Sequence, residues 1–120
     1  MLAPIESKGR HMSFVVGDGI LSMALLLLAV HWVADYPLQG DFLAKAKTQG
    51  PMRAYHLIAH AGIHGAGVLL VTGSAWIGIA EWIVHAIIDE SKVRGKLSFA
   101  QDQILHIACK ALWIALVFAF

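Results

Sequence analysis

The stretch ILHIACKALWIALVFAF, residues 104–120, decides the fold. It contains only His106 and Lys110 as strongly polar residues and shows no polar face. A helix on the surface of a soluble bundle needs such a face toward water, whereas a helix that is apolar all round belongs in a membrane or a deep core. We therefore expect an all-α membrane protein and reject a soluble bundle with a very apolar core.

The composition of the whole chain points the same way. Among its 120 residues 58% are hydrophobic and only 14% are charged, with a mean hydropathy of +0.69. An ordinary soluble domain carries about 25% charged residues, and a disordered chain is more polar still. The length allows one domain. The formal net charge of +1 gives no basic field that would indicate nucleic-acid binding.

The first twelve residues differ in composition from the rest. The string Gly9-Arg10-His11-Met12 is typical of a cloning remnant, and such segments are set aside when a fold is predicted. Residues 1–12 are therefore expected to be a vector-derived or disordered segment. Residues 13–120 are expected to form a single transmembrane four-helix domain.

Four apolar runs separated by short polar segments predict a four-transmembrane-helix bundle with antiparallel, up-down topology. The runs cover roughly residues 14–36, 51–71, 75–90 and 99–120. A membrane-spanning helix needs about 20 residues, within a range of about 17–25, so three runs qualify and the third is marginal. Ser74 is a predicted N-cap of the third helix, and Ser98 to Gln101 predict a capping box at the start of the fourth.

Basic residues concentrate in two of the connecting loops, 38–53 and 91–98. They are Lys45, Lys47, Arg53, Lys92, Arg94 and Lys96. Cytoplasmic loops carry an excess of Lys and Arg, so both loops are expected on the cytoplasmic side of a bacterial inner membrane. Both termini are then expected on the opposite side.

Ionisable residues recur at intervals of four on every predicted helix. Residues four apart share one helix face and lie about 6 Å apart along the axis, so each helix presents one polar stripe. Antiparallel threading sorts these stripes into three layers below the cytoplasmic face. The first layer contains Asp35, His56, Asp89 and Asp102, the second His31, His60, His85 and His106, and the third His64, Glu81 and Lys110.

Three interpretations of these layers stay open. Ionisable groups in a membrane are costly and mark functional paths, and imidazole with carboxylate at this spacing is how helix bundles hold metals. The first interpretation is a divalent-metal site for Zn, Mn or Fe. The second is a purely structural polar core, and the third is a proton or ion path.

For the metal site, the expected ligands are His31, His56, His60, His85, His106 and Asp102. Asp35 and Asp89 are the expected catalytic residues, with a spare carboxylate such as Asp89 as general base toward a metal-activated water. His64 lies deepest on its stripe and is expected to be a satisfied core histidine. The depth of the site suits the hydrolysis of a lipid or phosphorylated substrate.

Four further polar residues surround this set. Glu81 and Lys110 share a depth and are expected to form a buried ion pair, because neither charge is tolerable alone. Gln39 and Asp41 lie in the first loop, where they either close over the carboxylate layer or are simply solvated. Besides the lipid bilayer, the sequence leaves open a homo-oligomer, a membrane-protein partner or a phage-related membrane interaction.

The string HWVADYPLQGD, residues 31–41, resembles the opening motif of domain-of-unknown-function family 3307, which comprises short bacterial and phage membrane proteins. Later motifs of that family are similar to His56 and to the blocks 85–92 and 102–106. The resemblance covers roughly residues 25–110 and implies a membrane protein without implying an activity. The His/Asp pattern is also loosely similar to bacterial membrane-bound metal-dependent hydrolases, which implies hydrolysis by analogy alone.

Overall fold

The computed structural model describes residues 19–120, which form five α-helices. They are α1 (Ile20–Asp35), α2 (Gly40–Ala46), α3 (Arg53–Thr72), α4 (Ala75–Val93) and α5 (Phe99–Ala119). No strand occurs in this part of the chain, so the all-α prediction is confirmed. The separate segment 1–12 and the predicted beginning of the first helix lie outside the described residues.

The four long helices form an antiparallel bundle, and α2 lies at one end of it. α3 packs against α4 and α1, and α5 completes the ring through contacts with α4 and α1. The direction of neighbouring helices follows from their contacts: Glu81 of α4 meets Lys110 of α5, whereas Asp89 meets His106, which lies earlier in α5. The late end of α4 and the early end of α5 therefore lie together, beside α2.

Two local signals place the helix starts. Gly73 ends α3 with a φ of 71°, a left-handed conformation that glycine adopts at little cost, and Ser74 then caps α4 by accepting a hydrogen bond from the amide of Ile77. At α5, Ser98 and Gln101 form the reciprocal capping box. Both predicted caps are confirmed, and they determine the depth at which the later residues of α4 and α5 lie.

Two sequence-based boundaries need correction. The first loop contains α2, a short helix that was not predicted; Asp41 in its first turn and Lys45 in its last turn complement the helix dipole. The third predicted run continues to Val93 rather than ending at Glu90. The charged residues that end an apolar run are still good helix formers, so the helix continues beyond its hydrophobic segment.

Two helices, α3 and α5, are long and apolar enough to cross a membrane. α1 and α2 qualify only as a pair, bent by 81° at the break between them, which raises the number of supported spans to three. α4 has the length but carries four charged residues between Glu81 and Lys92. Length and composition thus support membrane insertion, with two to three spans rather than the four predicted.

The bundle is apolar outside and polar within. Large hydrophobic side chains lie exposed on its outer face, among them Leu25, Ile104 and Leu112. Of the largest fully buried side chains in the described residues, only Leu27 and Val68 are apolar. This distribution is the reverse of that in a soluble bundle, and it favours lipid as the surrounding medium.

An ion pair separates the apolar half of the bundle from the polar half. Lys110 Nζ donates to Glu81 Oε1 at 2.6 Å, as the shared depth of the two residues predicts. The indole Nε1 of Trp113 donates to Glu81 Oε2 at 2.6 Å. Trp113 also belongs to the apolar core that fills the end of the bundle away from α2, so Glu81 links α4 to α5 at the boundary between the two halves.

Replacing Lys110 by Met is expected to destabilise the bundle. Glu81 is 1% exposed, and removing the partner of a buried charge costs about 3–5 kcal/mol. Unfolding of the purified protein in detergent measures the loss. Arg94→Met, which breaks an exposed pair with Glu90, is the matched control and should barely change the unfolding midpoint. Equal midpoints for the two variants would contradict the role of the buried pair.

Candidate metal centre

The polar stripes of α1, α3, α4 and α5 converge on one buried cluster at the α2 end of the bundle. Its members are His31, Asp35, His60, His64, His85, Asp89, Asp102 and His106. The five imidazoles are at most 2% exposed, whereas the Asp35 side chain is 21% exposed. Each of the four long helices therefore contributes donor atoms to a site that is closed at the sides of the bundle and open at one end.

Imidazole nitrogens from two helices surround the Asp35 carboxylate. His64 Nε2 lies 2.9 Å from Asp35 Oδ1, and His60 Nε2 lies 3.4 Å from the same oxygen. His31 Nε2 lies 3.3 Å from the second oxygen, Oδ2. Since a carboxylate only accepts hydrogen bonds, His64 donates to Asp35, while the rings of His31 and His60 lie within ion-pair distance of it.

Asp89 has the corresponding position on α4. Its Oδ1 lies 3.1 Å from His106 Nε2 and 3.7 Å from His85 Nε2. Its Oδ2 lies 3.5 Å from His60 Nε2 and accepts a hydrogen bond from Lys47 Nζ at 3.0 Å. The two oxygens of one carboxylate therefore face histidines of different helices.

Several buried polar atoms of the cluster have no hydrogen-bond partner. They are His31 Nδ1, both ring nitrogens of His60, His85 Nε2 and Asp102 Oδ1. Leaving a buried donor or acceptor unpaired costs about 1–3 kcal/mol, and native proteins rarely keep such an atom without a reason. Nitrogen atoms left free beside carboxylates form the donor set that a divalent ion takes from a protein.

Two groups of side chains offer ligand atoms that all lie within 4.8 Å of one another. The first comprises Asp35, His60, His64 and His85, and the second His85, Asp89 and His106. Imidazole with carboxylate suits Zn, Mn or Fe. The chain thus contains a buried His/Asp cluster that could bind a metal, although the identity of the ion stays a prediction.

Glu81 sets the orientation of the histidine that both groups share. Its Oε1 lies 3.1 Å from His85 Nδ1, and the carboxylate can only accept, so Nδ1 carries the proton. The lone pair of a neutral ring then lies on Nε2, the atom without a partner. A carboxylate behind a ligating histidine fixes the tautomer and raises the basicity of the ligand in many metal sites.

A pocket of about 130 Å³ opens beside the cluster. Its lining residues are Asp35, Tyr36, Gln39, Lys47, Asp89, Lys92, Phe99, Asp102 and Gln103. Pockets for drug-sized ligands measure about 300–1,000 Å³, so this one admits water and a small polar group rather than a whole large ligand. It provides the route from the outside to the three aspartates.

The structure places several predicted residues differently. His64 is buried and hydrogen-bonded to Asp35, as expected of a satisfied core histidine, and it also belongs to the first group of residues that could hold a metal. His56 lies outside both groups, and its ring packs edge-on against Phe42 with 5.5 Å between centroids. His31 also lies outside both groups, because its Nε2 faces Asp35 and the amide of Gln103.

The two polar residues of the first loop, Gln39 and Asp41, lie in different surroundings. Gln39 lines the pocket and donates to the backbone carbonyl of Asp35 at 3.3 Å. Asp41 is exposed on α2 and is not part of the pocket lining. Of the two, only Gln39 lies where it can close over the carboxylates.

Two residues of the site, Lys47 and Gln103, have no role that the sequence predicts. Lys47 donates a hydrogen bond to Asp89. Membrane topology already accounts for a lysine in a basic loop, so the sequence alone gives no reason to assign it to the site. The side-chain amide of Gln103 contacts two residues of the cluster. Its Oε1 lies 3.3 Å from His31 Nε2, and its Nε2 donates to Asp102 Oδ2 at 3.0 Å. It lies off the four-residue stripe, and only its place beside Asp102 in the sequence motif marks it.

Comparison with known proteins identifies a family. No curated protein and no solved structure matches the chain, so the looser hydrolase resemblance gains no support. The family model described as "Protein of unknown function (DUF3307)" matches residues 23–119, a range that contains the whole cluster and most of the bundle. The chain therefore belongs to this family, as its motifs predict.

Proposed function

We propose that this protein is a metal-dependent hydrolase of a bacterial inner membrane, with a divalent ion held in the His/Asp cluster. One observation carries the proposal: both ring nitrogens of His60 and the Nε2 of His85 have no hydrogen-bond partner, although both residues are at most 1% exposed and lie near the carboxylates of Asp35 and Asp89. A purely structural core would gain stability by pairing these atoms or replacing them with apolar groups. A bound cation is the simplest partner for them.

In this proposal the bundle crosses the membrane four times, with the two basic loops in the cytoplasm. α1 and α4 each lie between the two helices that qualify as spans, so all four share one depth. Two of the four charged residues that weaken α4 as a span lie inside, with Glu81 1% and Asp89 6% exposed, and the other two, Glu90 and Lys92, lie near the end of the helix, beside the second basic loop. Lipid therefore does not meet Glu81 and Asp89, and the cost of placing ions in a membrane is reduced accordingly.

A bound divalent ion would act as a Lewis acid and make a bound water acidic enough to attack at neutral pH. Asp35 and Asp89 lie among the ligand nitrogens, so both serve better as ligands than as the general base predicted for a spare carboxylate. Asp102 fits the role of base. It is 2% exposed, lines the pocket, and has an Oδ1 that lies 3.4 Å from His106 Nε2 without a hydrogen bond and can accept a proton.

The pocket mouth favours an anionic substrate. Lys47 Nζ lies 3.0 Å from Asp89, and Lys92 Nζ lies 3.8 Å from Asp102 and is 40% exposed. Ammonium groups bind phosphate oxygens, and a pocket that opens at a cytoplasmic end lies at headgroup depth. A lipid or another phosphorylated substrate can therefore present its phosphate to the cluster while the rest of the molecule stays outside.

A proton or ion conduit is the second candidate, because the imidazole rings are in contact with each other. Ring centroids are 3.7 Å apart between His64 and His85 and 4.1 Å apart between His85 and His106. Beyond them, however, the Glu81–Lys110 pair and the apolar core that contains Trp113 block the way to the far side. A site with one open end favours hydrolysis over conduction.

The first prediction from this proposal concerns metal affinity. Protein purified without chelator and without a nickel resin is expected to bind Zn²⁺ in equilibrium dialysis with elemental analysis. His60→Ala should weaken binding by at least tenfold, since even residues behind the ligands contribute 10–100-fold. His56→Ala removes a histidine one turn away that lies outside both groups and is the matched control.

Wild-type protein that binds no metal would contradict the hydrolase. If it also carried protons into liposomes, and Asp89→Asn abolished that flux, the conduit would be favoured. If neither metal binding nor flux occurred and partner binding survived the loss of several histidines, the polar residues would serve only to hold the bundle together.

The second prediction separates metal binding from catalysis. Asp102→Asn is expected to keep the bound ion and to lower the hydrolysis of a phosphate monoester by about 10²–10⁴, the usual contribution of a general base. Turnover of a chromogenic phosphate ester and of vesicles that contain a phosphorylated lipid is measured on metal-loaded protein. Full activity of this variant would remove Asp102 from the mechanism.

The third prediction concerns topology. In a Cys109→Ala background, Ala75→Cys at the first residue of α4 should react with a membrane-impermeant thiol reagent added to intact spheroplasts. Lys96→Cys in the second basic loop should react only after the membrane is opened. Both positions are exposed, so labelling of both from one side would contradict the proposed crossing by α4.

A further inference from the structure

We infer that the cluster holds two metal ions per chain, bridged by the carboxylate of Asp89. This inference rests on the proposed metal site and deepens it. It begins with the observation that the ligand atoms fall into two groups that share only His85. Nothing in the sequence distinguishes two ions from one.

The extent of the cluster excludes a single ion held by all of these residues. Zinc bonds to imidazole and carboxylate measure about 2.0–2.2 Å, so donors on opposite sides of one ion are about 4.0–4.4 Å apart. Asp35 and His106 do not belong to a common group even at the wider limit of 4.8 Å. This division of the donors favours two ions over one ion shared by the whole cluster.

The donors divide by helix pair. α1 and α3 supply Asp35, His60 and His64 for one ion, and α4 and α5 supply His85, His106 and Asp89 for the other. Each set contains two imidazoles and one carboxylate, a number that suits a catalytic site with a remaining open position. His85 is within reach of both sets, but its Nε2 lies 3.7 Å from Asp89 Oδ1 and completes the second.

Asp89 connects the two sets. Its Oδ1 faces His106 at 3.1 Å and its Oδ2 faces His60 at 3.5 Å, so each oxygen is directed to a different ion. Ions in two-metal sites are about 3.5–4 Å apart, a separation that a carboxylate can span with its two oxygens. Asp89 is thus the bridging ligand, which also explains why it is more deeply buried than Asp35.

Lys47 places a positive charge beside the proposed bridging carboxylate. Its ammonium group contacts the Asp89 oxygen that would face the first ion, and its side chain is 15% exposed at the pocket mouth. A long flexible side chain there can move into the pocket when an ion takes its place. Two ions in this arrangement would hold a phosphate ester and the attacking water together, as two-metal hydrolases do.

The test is a titration of the purified wild-type protein with Mn²⁺, followed by equilibrium dialysis and by electron paramagnetic resonance. We expect about two ions per chain, as in a two-metal site. The Mn²⁺ signal should grow with the first equivalent and weaken with the second, because ions that share a carboxylate are magnetically coupled. One bound ion overturns this inference and leaves the proposed function intact, whereas no bound ion overturns both.

Variants then locate the two ions. Asp35→Asn and His106→Ala should each retain one ion with the signal of isolated Mn²⁺, and His56→Ala should retain both ions and the coupling. Asp89→Asn should abolish the coupling. Two ions whose signals simply add in the wild type would contradict the bridge, and this readout does not depend on whether any variant folds.

Discussion

The cost of holding ionisable side chains away from water is the constraint on which the rest of this structure depends. An unpaired buried charge costs several kcal/mol, so each inward carboxylate must meet a donor from another helix. Glu81 meets Lys110, Asp35 meets His64 and Asp89 meets His106. These pairs join α1 to α3 and α4 to α5, and no helix can slide along its neighbour without separating one of them.

Close packing of α3 against α4 brings the two halves of the cluster together. A Cβ atom added to Gly65 would lie 2.7 Å from the carbonyl oxygen of Gly78, so the two backbones touch at a point where only glycine fits. Next to this contact, His64, the residue before Gly65, stacks on His85, which lies two turns after Gly78, with 3.7 Å between ring centroids. Small residues in the apolar region thus determine distances in the polar one, as in other membrane bundles.

The four-residue spacing predicted which side chains share a face, but it could not predict their tilt. Side chains on a helix lean toward its N-terminus. Asp35 and Asp89 lie near the ends of their helices and therefore lean along the axis, away from the α2 end of the bundle. His64 leans toward the α2 end, because α3 begins there, and it reaches Asp35 across a predicted layer. The same tilt carries His56 away from the cluster toward Phe42. That contact depends on α2, whose seven residues gave too weak a pattern to predict.

α4 is long enough to cross a membrane but is not apolar enough to qualify as a span, and its contribution to the buried cluster is the reason. α4 contributes Glu81, His85 and Asp89 to the interior, and such residues lower the average hydropathy of any span. The opposite face is apolar, and on it Ile79, Ile83 and Ile87 follow one another at intervals of four and are 45%, 57% and 60% exposed. A test that averages over the whole helix cannot separate the two faces. In a bundle that buries its charges, the face exposed to lipid is the better guide to membrane insertion.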